Sequence, residues 1–476
     1  MTTALVLFAA MGLLFACNAP IALAVGGSAL AALLWKGGMD PAVAVQRLYA
    51  GADSFPLLAV PLFLMAGHFM SVGGISRRII TLAEALVGHL PGGLAVVSVV
   101  AAMFFAGVSG SAAADTAAVG TLLIPAMTKR GIHPAFAAAI QGSAGSIGIV
   151  IPPSIPMVVF GALTGASIGR LFAGGILPGL LMGLSLCAWC IYDAKRKNMA
   201  SGNYSNATAF APTERATLPG ACKAPPLPDA DSRNTPTATI TGHATNNAGT
   251  HNTPARCNFH QVLAATRGAV WALGAPVIIL GGILGGVFTA TESAGVAVAY
   301  SLVVGTCIHR ELTWRAIPAL VLDAAITSGM IMSIIAAASL FSWVMAMEQL
   351  PRAMADMLLS VGGEGLPLLL VVNIFLLLAG CLIETTAALI LFVPVLMPLL
   401  PRLGIDEVQL GVIMVVNLAI GMVTPPLGIC LTVAASIART SIASASRALL
   451  PLLGVLLVDL AIIVVWPPLI TLLGGK

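Results

Sequence analysis

Apolar runs parted by short polar stretches make up almost all of this chain. Runs at 4–34, 54–72, 171–193, 269–288, 293–308, 318–346 and 449–472 are each read as a membrane-spanning helix, because about 20 apolar residues in helical form cross the hydrocarbon core. Two pairs of runs are shorter: 93–107 with 112–128, and 366–381 with 384–400. Each is marginal against the about 17–25 residues of a full crossing, and only Gly107-Val-Ser-Gly-Ser111 parts the first pair. Both pairs are read as re-entrant helical hairpins with their turns inside the membrane. Residues 75–90 carry Arg77, Arg78 and Glu84, and are read as an amphipathic helix at the interface. A loop before the second span carries Lys36, Asp40 and Arg47.

Two further runs, 134–166 and 408–437, cannot be continuous helices. Pro152 and Pro153 in the first, and Pro425 and Pro426 in the second, remove backbone donors and clash with the preceding turn. The residue before a proline leaves the α region, so each chain unwinds there. Broken backbone at membrane depth is tolerated only when buried in protein or lining a polar cavity. Paired interruptions at corresponding places in two halves point to a transporter's binding site.

The halves echo one another. Asp115-Thr116 with Pro125 matches Glu384-Thr385 with Pro394, Pro152-Pro153 matches Pro425-Pro426, and Leu177-Pro178 matches Leu450-Pro451. The fold class expected is an all-α polytopic membrane protein built from inverted repeats, with two re-entrant hairpins and two broken helices. The first repeat is 1–194 and the second 261–476, joined by a polar, disordered cytoplasmic linker over 195–260 that is rich in Asn, Thr, Ala and Pro. With the N-terminus cytoplasmic and both hairpins re-entrant, twelve Lys and Arg face the cytoplasm and six face out, leaving aside four in the linker. That satisfies the positive-inside rule, turns the hairpins to opposite sides, and places the C-terminus outside.

Composition supports this reading. The 476 residues are 58% hydrophobic and 8% charged, with mean hydropathy +1.01, against about 25% charged residues in soluble domains. The short alternating segments of a membrane β-barrel are absent. The net charge of +4 comes from basic residues in loops, which set orientation and do not imply nucleic acid. Of eight cysteines, six lie in apolar segments, where cysteine acts as a small hydrophobe. Cys187-x-x-Cys190 falls on a membrane helix, and Cys222, His251, Cys257 and His260 are irregularly spaced, so no metal is expected from either group. No basic residue precedes the first apolar run, so it is read as a helix and not a signal peptide. There is no P-loop and no serine-hydrolase constellation around Ser109 and Ser111. The chain is not expected to be an enzyme.

The residues that carry chemistry cluster at the hairpin tips and breaks. Ser109, Gly110 and Ser111 offer carbonyls and hydroxyls suited to a hard cation, as do Gly142, Ser143, Gly145 and Ser146 beside Pro152. A sodium ion between tip and break is the natural occupant. The competing reading is close helix packing through small residues, but the cluster's recurrence favours a site. In the second half Glu384, Thr385 and Thr386 face Asn417, Gly421, Thr424 and Pro425. Asp115 and Glu384 either ligate an ion or cap the hairpin's second helix. Helix N-termini after each break would offer N–H groups to an anion, with Ser154 placed just after the first.

These same stretches carry a resemblance. Ser54-Phe-Pro-Leu-Leu-Ala-Val-Pro-Leu-Phe-Leu-Met-Ala-Gly67, Ser109–Asp115, Gly148-Ile-Val-Ile-Pro-Pro-Ser154 and Asn417…Gly421…Thr424-Pro-Pro-Leu-Gly428 resemble the large membrane subunit of tripartite ATP-independent periplasmic (TRAP) transporters. The resemblance covers nearly everything but 195–260. It implies elevator-type import of an organic anion, such as a C4-dicarboxylate or sugar acid, by Na⁺ symport across the bacterial inner membrane. A periplasmic binding protein would deliver the substrate, and a separate four-helix membrane subunit would pack alongside. Ser109–Ser111 with Gly142–Pro152 would form one sodium site, and Glu384–Thr386 with Asn417–Pro425 the other. Ser111, Asp115, Pro153, Ser154, Thr385 and Pro426 would meet the substrate. No cofactor is implied beyond sodium as coupling ion. The alternative is a stand-alone carboxylate or ion carrier of a related hairpin-containing family. The polar linker is longer than the family leads one to expect.

Overall fold

The computed structural model describes residues 2–37, 40–196 and 259–475, apart from 352, 355 and 358–362. The linker reading for 195–260 therefore lies almost wholly outside the described residues. In the first half the helices are α1 (Thr2–Ala16), α2 (Ile21–Lys36), α3 (Pro41–Ala52), α4 (Ala59–Val72), α5 (Ile75–Val87), α6 (Gly93–Ser109), α7 (Ala112–Lys129), α8 (Pro134–Ser146), α9 (Ile155–Thr164) and α10 (Ile168–Arg196). In the second they are α11 (Phe259–Leu284), α12 (Ala290–Val303), α13 (Ile317–Met347), α14 (Leu366–Gly380), α15 (Thr385–Leu396), α16 (Glu407–Gly421), α17 (Ile429–Ile437), α18 (Ile442–Val465) and α19 (Pro468–Gly474). No strand occurs among the described residues.

Two groups of helices emerge. A frame is built from α1–α4 and α11–α13: α2 packs along α13 as α12 packs along α4. A body is built from α6–α10 and α14–α19, with α10 against α6, α18 and α19. Helix α5 joins them. Its Gly74 N-cap takes φ 77°, its buried face is Ile75, Ile79, Ile80, Leu82 and Ala83, and it lies on α11 of the frame and α6 of the body.

The expected single span over 4–34 is instead two helices folded back on each other. Asn18 adopts a left-handed φ of 58° and Pro20 precedes α2, so the chain reverses within four residues. Gly27 then faces the Leu14 side chain, which lies 3.3 Å from the position a Cβ would take. Thr2 thus returns to the end of the pair that bears Lys36, and the crossing count that placed the N-terminus opposite Lys36 loses one crossing. The loop expected around Asp40 contains α3, started by Pro41 and capped by the Asp40 carboxylate, which accepts from the Ala42 N–H at 2.9 Å.

Polar contacts between distant segments fix which loops share a membrane face. Arg78 pairs with Glu311 at 2.8 Å and Lys36 with Glu348 at 2.7 Å. Arg170 donates to the Gly474 and Gly475 carbonyls at 2.9 and 3.0 Å and lies 3.6 Å from Asp406. Glu84, at the end of α5, feels the charge of Arg130 at the end of α7, while burial pushes its carboxyl above the ordinary range. Hairpin α14/α15 closes at its base, where the Gly365 N–H donates to the Arg402 carbonyl at 2.9 Å and Arg402 pairs with Glu364. The run Thr385–Leu403 is long enough to cross by itself, yet its start lies at a hairpin tip inside the body.

Candidate functional site

The first hairpin tip seats directly in the first break. Gly110 has φ 65°, and a side chain there would meet the Pro153 carbonyl at 2.6 Å. Its own carbonyl accepts from the Ile155 N–H at 3.4 Å. Asp115, in the first turn of α7, is fully buried. One of its oxygens accepts from the Ser109 hydroxyl, which itself accepts from the Ser111 N–H at 3.2 Å. The other, Oδ2, has no partner and points at Gly148, where a Cβ would overlap it. Gly145 likewise makes room for the Thr116 hydroxyl. Ser143 keeps a buried, unpartnered Oγ, while Ser146 donates to the Ser143 carbonyl at 2.9 Å.

The helix start after this break is sealed. The Ser154 hydroxyl donates to the Ile149 carbonyl at 2.5 Å and accepts from the Met157 N–H at 3.3 Å. Ile155 is spent on Gly110 and Pro156 has no N–H, so the first turn of α9 keeps no free donor. Ser154, expected to meet an anion, holds the break together. Pro152 and Pro153 are buried with it.

The second break is arranged differently. Glu384 is the N-cap of α15: its Oε2 accepts from the Thr386 and Ala387 N–H groups at 2.9 and 3.2 Å, and its Oε1 from the Thr386 hydroxyl at 2.9 Å. Of the two roles open to it, the structure places it in the cap. Thr385 keeps a buried, unpartnered Oγ1. Asn417 donates from Nδ2 to the carbonyl and side chain of Asn373, both at 2.8 Å, and leaves its Oδ1 without a partner. Gly421 lies flat on Gly380, and a Cβ would come 2.7 Å from the Gly380 backbone. Thr424 donates to the Ile420 carbonyl at 2.7 Å. Pro426 and Leu427 are exposed, Leu427 by 56%. Among the described residues the Leu427 and Ile429 N–H groups bond to nothing. Of the two breaks, this is the one whose unwound backbone is exposed.

The two repeats exchange partners. Helix α17, after the second break, packs on α7 and α8 of the first repeat, and α9, after the first break, packs on α15 of the second. The position a Gly142 Cβ would take lies 3.3 Å from Leu431 Cα. Cys430 sits at this junction, buried on the helix that packs against α7 and α8. Cys430 and Asn373 were not singled out as site residues from the sequence, and Thr116 and Gly148 entered only through the repeat and the resemblance. Asn373 had a signal, a lone amide in the most apolar hairpin arm; Cys430 had none, since thiols abound in such helices.

Among the described residues five buried side-chain oxygens lack a protein partner; one, Ser76 Oγ, lies on α5, and four lie beside the breaks, two at each: Asp115 Oδ2 and Ser143 Oγ, Thr385 Oγ1 and Asn417 Oδ1. These four atoms are hard oxygen donors, of the kind that suits a hard cation.

Residues 6–469 match the family described as "Tripartite ATP-independent periplasmic transporter, DctM component". The chain belongs to this family. As a DctM component it is a TRAP-transporter subunit, not an enzyme, and a multi-pass membrane protein. It is 38% identical to the isethionate TRAP transporter permease protein DctMQ of Oleidesulfovibrio alaskensis, over 96% of this chain and 64% of that one. The chain therefore spans under two thirds of that relative's length. It is also 38% identical to the C4-dicarboxylate TRAP transporter large permease protein DctM of Pseudomonas aeruginosa, over 88% of this chain and 86% of that one. In fold it resembles the Alcanivorax borkumensis YdaH transporter, with TM-score 0.54 and 15% identity over 89% of this chain and 87% of that one.

Proposed function

We propose that this DctM component imports a small organic anion across the bacterial inner membrane by sodium symport. It receives the anion from a periplasmic binding protein and works beside a small four-helix membrane subunit. The reading is carried by the four unpartnered oxygens. A buried polar atom without a partner costs about 1–3 kcal/mol, and two such pairs, each beside a break in one repeat, are an unlikely accident of packing. A sodium ion at Asp115 and Ser143, and a second at Thr385 and Asn417, would satisfy them. Unwound carbonyls at each break would complete the shells. Ser109, Gly110 and Ser111 shape the first site by holding Asp115, and Glu384 the second by fixing the start of α15.

The anion belongs at the second break. There Pro426 and Leu427 are exposed and the Leu427 and Ile429 N–H groups stand free, and N-terminal N–H groups favour negative charge. Isethionate and C4-dicarboxylates, named for the two relatives, are both small organic anions. In this reading the body carries the site and slides against the frame, elevator fashion. Charge asymmetry puts Arg78 and Arg130 in the cytoplasm, and Lys36, Arg170 and the C-terminus in the periplasm. The N-terminus follows Lys36 to the periplasmic side.

The test is uptake of isethionate and of succinate into proteoliposomes holding the chain and its small subunit. Uptake should require both external Na⁺ and a loaded binding protein. Uptake indifferent to the binding protein would favour a stand-alone carrier, and uptake indifferent to Na⁺ would reject the symport.

A further inference from the structure

Two ion pairs hold equivalent turns of the two repeats. Helix α4 ends at Gly73, and the chain enters α5 through left-handed Gly74. Onto this turn folds the loop that follows α12. The His309 ring places Nδ1 3.1 Å from the Gly73 carbonyl, so that nitrogen carries the proton. Arg78 donates to the Gly74 carbonyl at 2.9 Å and pairs with Glu311 at 2.8 Å. The fit is tight, since a side chain on Gly74 would collide with the Glu311 carboxylate. Across the pseudo-symmetry, α13 ends at Glu348 and the chain turns through Gln349, at φ 53°. Here Lys36, the last residue of α2, reaches over and pairs with Glu348 at 2.7 Å. In both repeats the clasping loop comes from the helix that lies along the clasped one: α12 along α4, α2 along α13.

Helix α5 is gripped differently at its two ends. Its start is tied to the frame through His309 and Glu311. Its far end meets the body, where Glu84 feels Arg130 and its apolar face lies on α6. A helix fixed at one end to the frame and at the other to the body is a lever, and its clasped end is the fulcrum. Resting on the reading that the body slides against the frame, we propose that Arg78–Glu311 and Lys36–Glu348 are positioning residues for transport. They anchor the turns at which the chain leaves the frame, so that body displacement swings α5 about a fixed point and does not unravel the end of α4 or α13. They touch neither ion nor substrate.

The test compares uptake by proteoliposomes carrying equal amounts of folded complex, with small subunit, binding protein and Na⁺ present. The variants are Arg78→Glu, Lys36→Glu and the swapped pairs Arg78→Glu/Glu311→Arg and Lys36→Glu/Glu348→Lys. Each single reversal should lower the maximal uptake rate about tenfold, a rise of about 1.4 kcal/mol in the exchange barrier, with the KM for loaded binding protein and for Na⁺ unchanged. Each swapped pair should recover more than half of the rate. Single variants at the full rate, a change carried by KM instead, or swapped pairs no better than the singles would overturn the proposal. Absent uptake by the unaltered chain would instead sink the transport reading itself.

Discussion

At the scale of single residues, glycines decide how closely the site can assemble. Gly421 and Gly380 meet backbone to backbone, with a Cβ on Gly421 forced to 2.7 Å. Neither side can yield by rotating a side chain. Gly421→Ala should therefore cost about 1–3 kcal/mol, the range for overpacking, and abolish uptake by separating α14 from α16. Gly454→Ala, at a position with nothing within 4 Å, should leave the thermal midpoint and uptake unchanged. Glu384 offers a sharper distinction. Loss of an N-cap costs about 0.5–2 kcal/mol, so Glu384→Ala should lower the melting temperature, whereas Glu384→Ser should restore both stability and uptake. Loss of uptake in the serine variant at full stability would instead mean that the charge itself is used. The sequence pointed to Asp115, Ser143, Thr385 and Asn417 through polar residues recurring beside proline pairs. It did not disclose that Ser154 is consumed by its own break, because a hydroxyl's partner depends on where the chain returns. Nor did it disclose that Gly148 makes room for Asp115, which shows only once the break after α8 lies on α7, or that Cys430 meets the first repeat, which shows only once α17 lies on α7 and α8.

At the scale of elements, the broken helices and hairpins were legible because proline and glycine act locally. Replacing Pro152-Pro153 with Ala-Ala should let α8 run on into α9, withdrawing Ile155 from Gly110 and abolishing uptake, while the complex still inserts and purifies. The reversal between α1 and α2 was missed for the opposite reason. Hydropathy averages over Asn18 and Pro20, and both sides of the turn are equally apolar. Helix α3 went unread although Asp40-Pro41 is a cap followed by a first-turn proline. The clasp at the end of α12 also makes a pH prediction. With Nδ1 spent on Gly73, Nε2 of His309 is shielded and unpartnered, and burial, helped by Arg78 and only partly offset by the Gly73 bond and Glu311, holds the imidazole below its ordinary value. The neutral ring is the one the fold favours. Its contribution is present above the unfolded value of about 6.5 and is lost as the pH falls through the lower folded value. The thermal stability gap between the unaltered complex and His309→Gln should accordingly narrow on acidification; a gap constant with pH would count against this role.

At the scale of the whole molecule, the inverted repeat matters more than either half. Distant pairs such as Lys36 with Glu348 and Arg170 with Asp406 tie the two repeats together. What no linear pattern can express is that each repeat's second half-helix completes the other's hairpin. Chains 1–196 and 259–476 expressed separately should show no uptake, and expressed together should recover it; activity from either alone would contradict the exchange of partners. The same exchange sets a timetable for the cell. The face of α8 at Gly142 is covered by Leu431, which is synthesised about 290 residues later, roughly 15–60 s at ribosomal rates. Through that interval the nascent first repeat holds the Asp115 carboxylate and the Ser143 hydroxyl in the bilayer without their lid. The insertion machinery must shelter a half-built polar socket until the last third of the chain arrives.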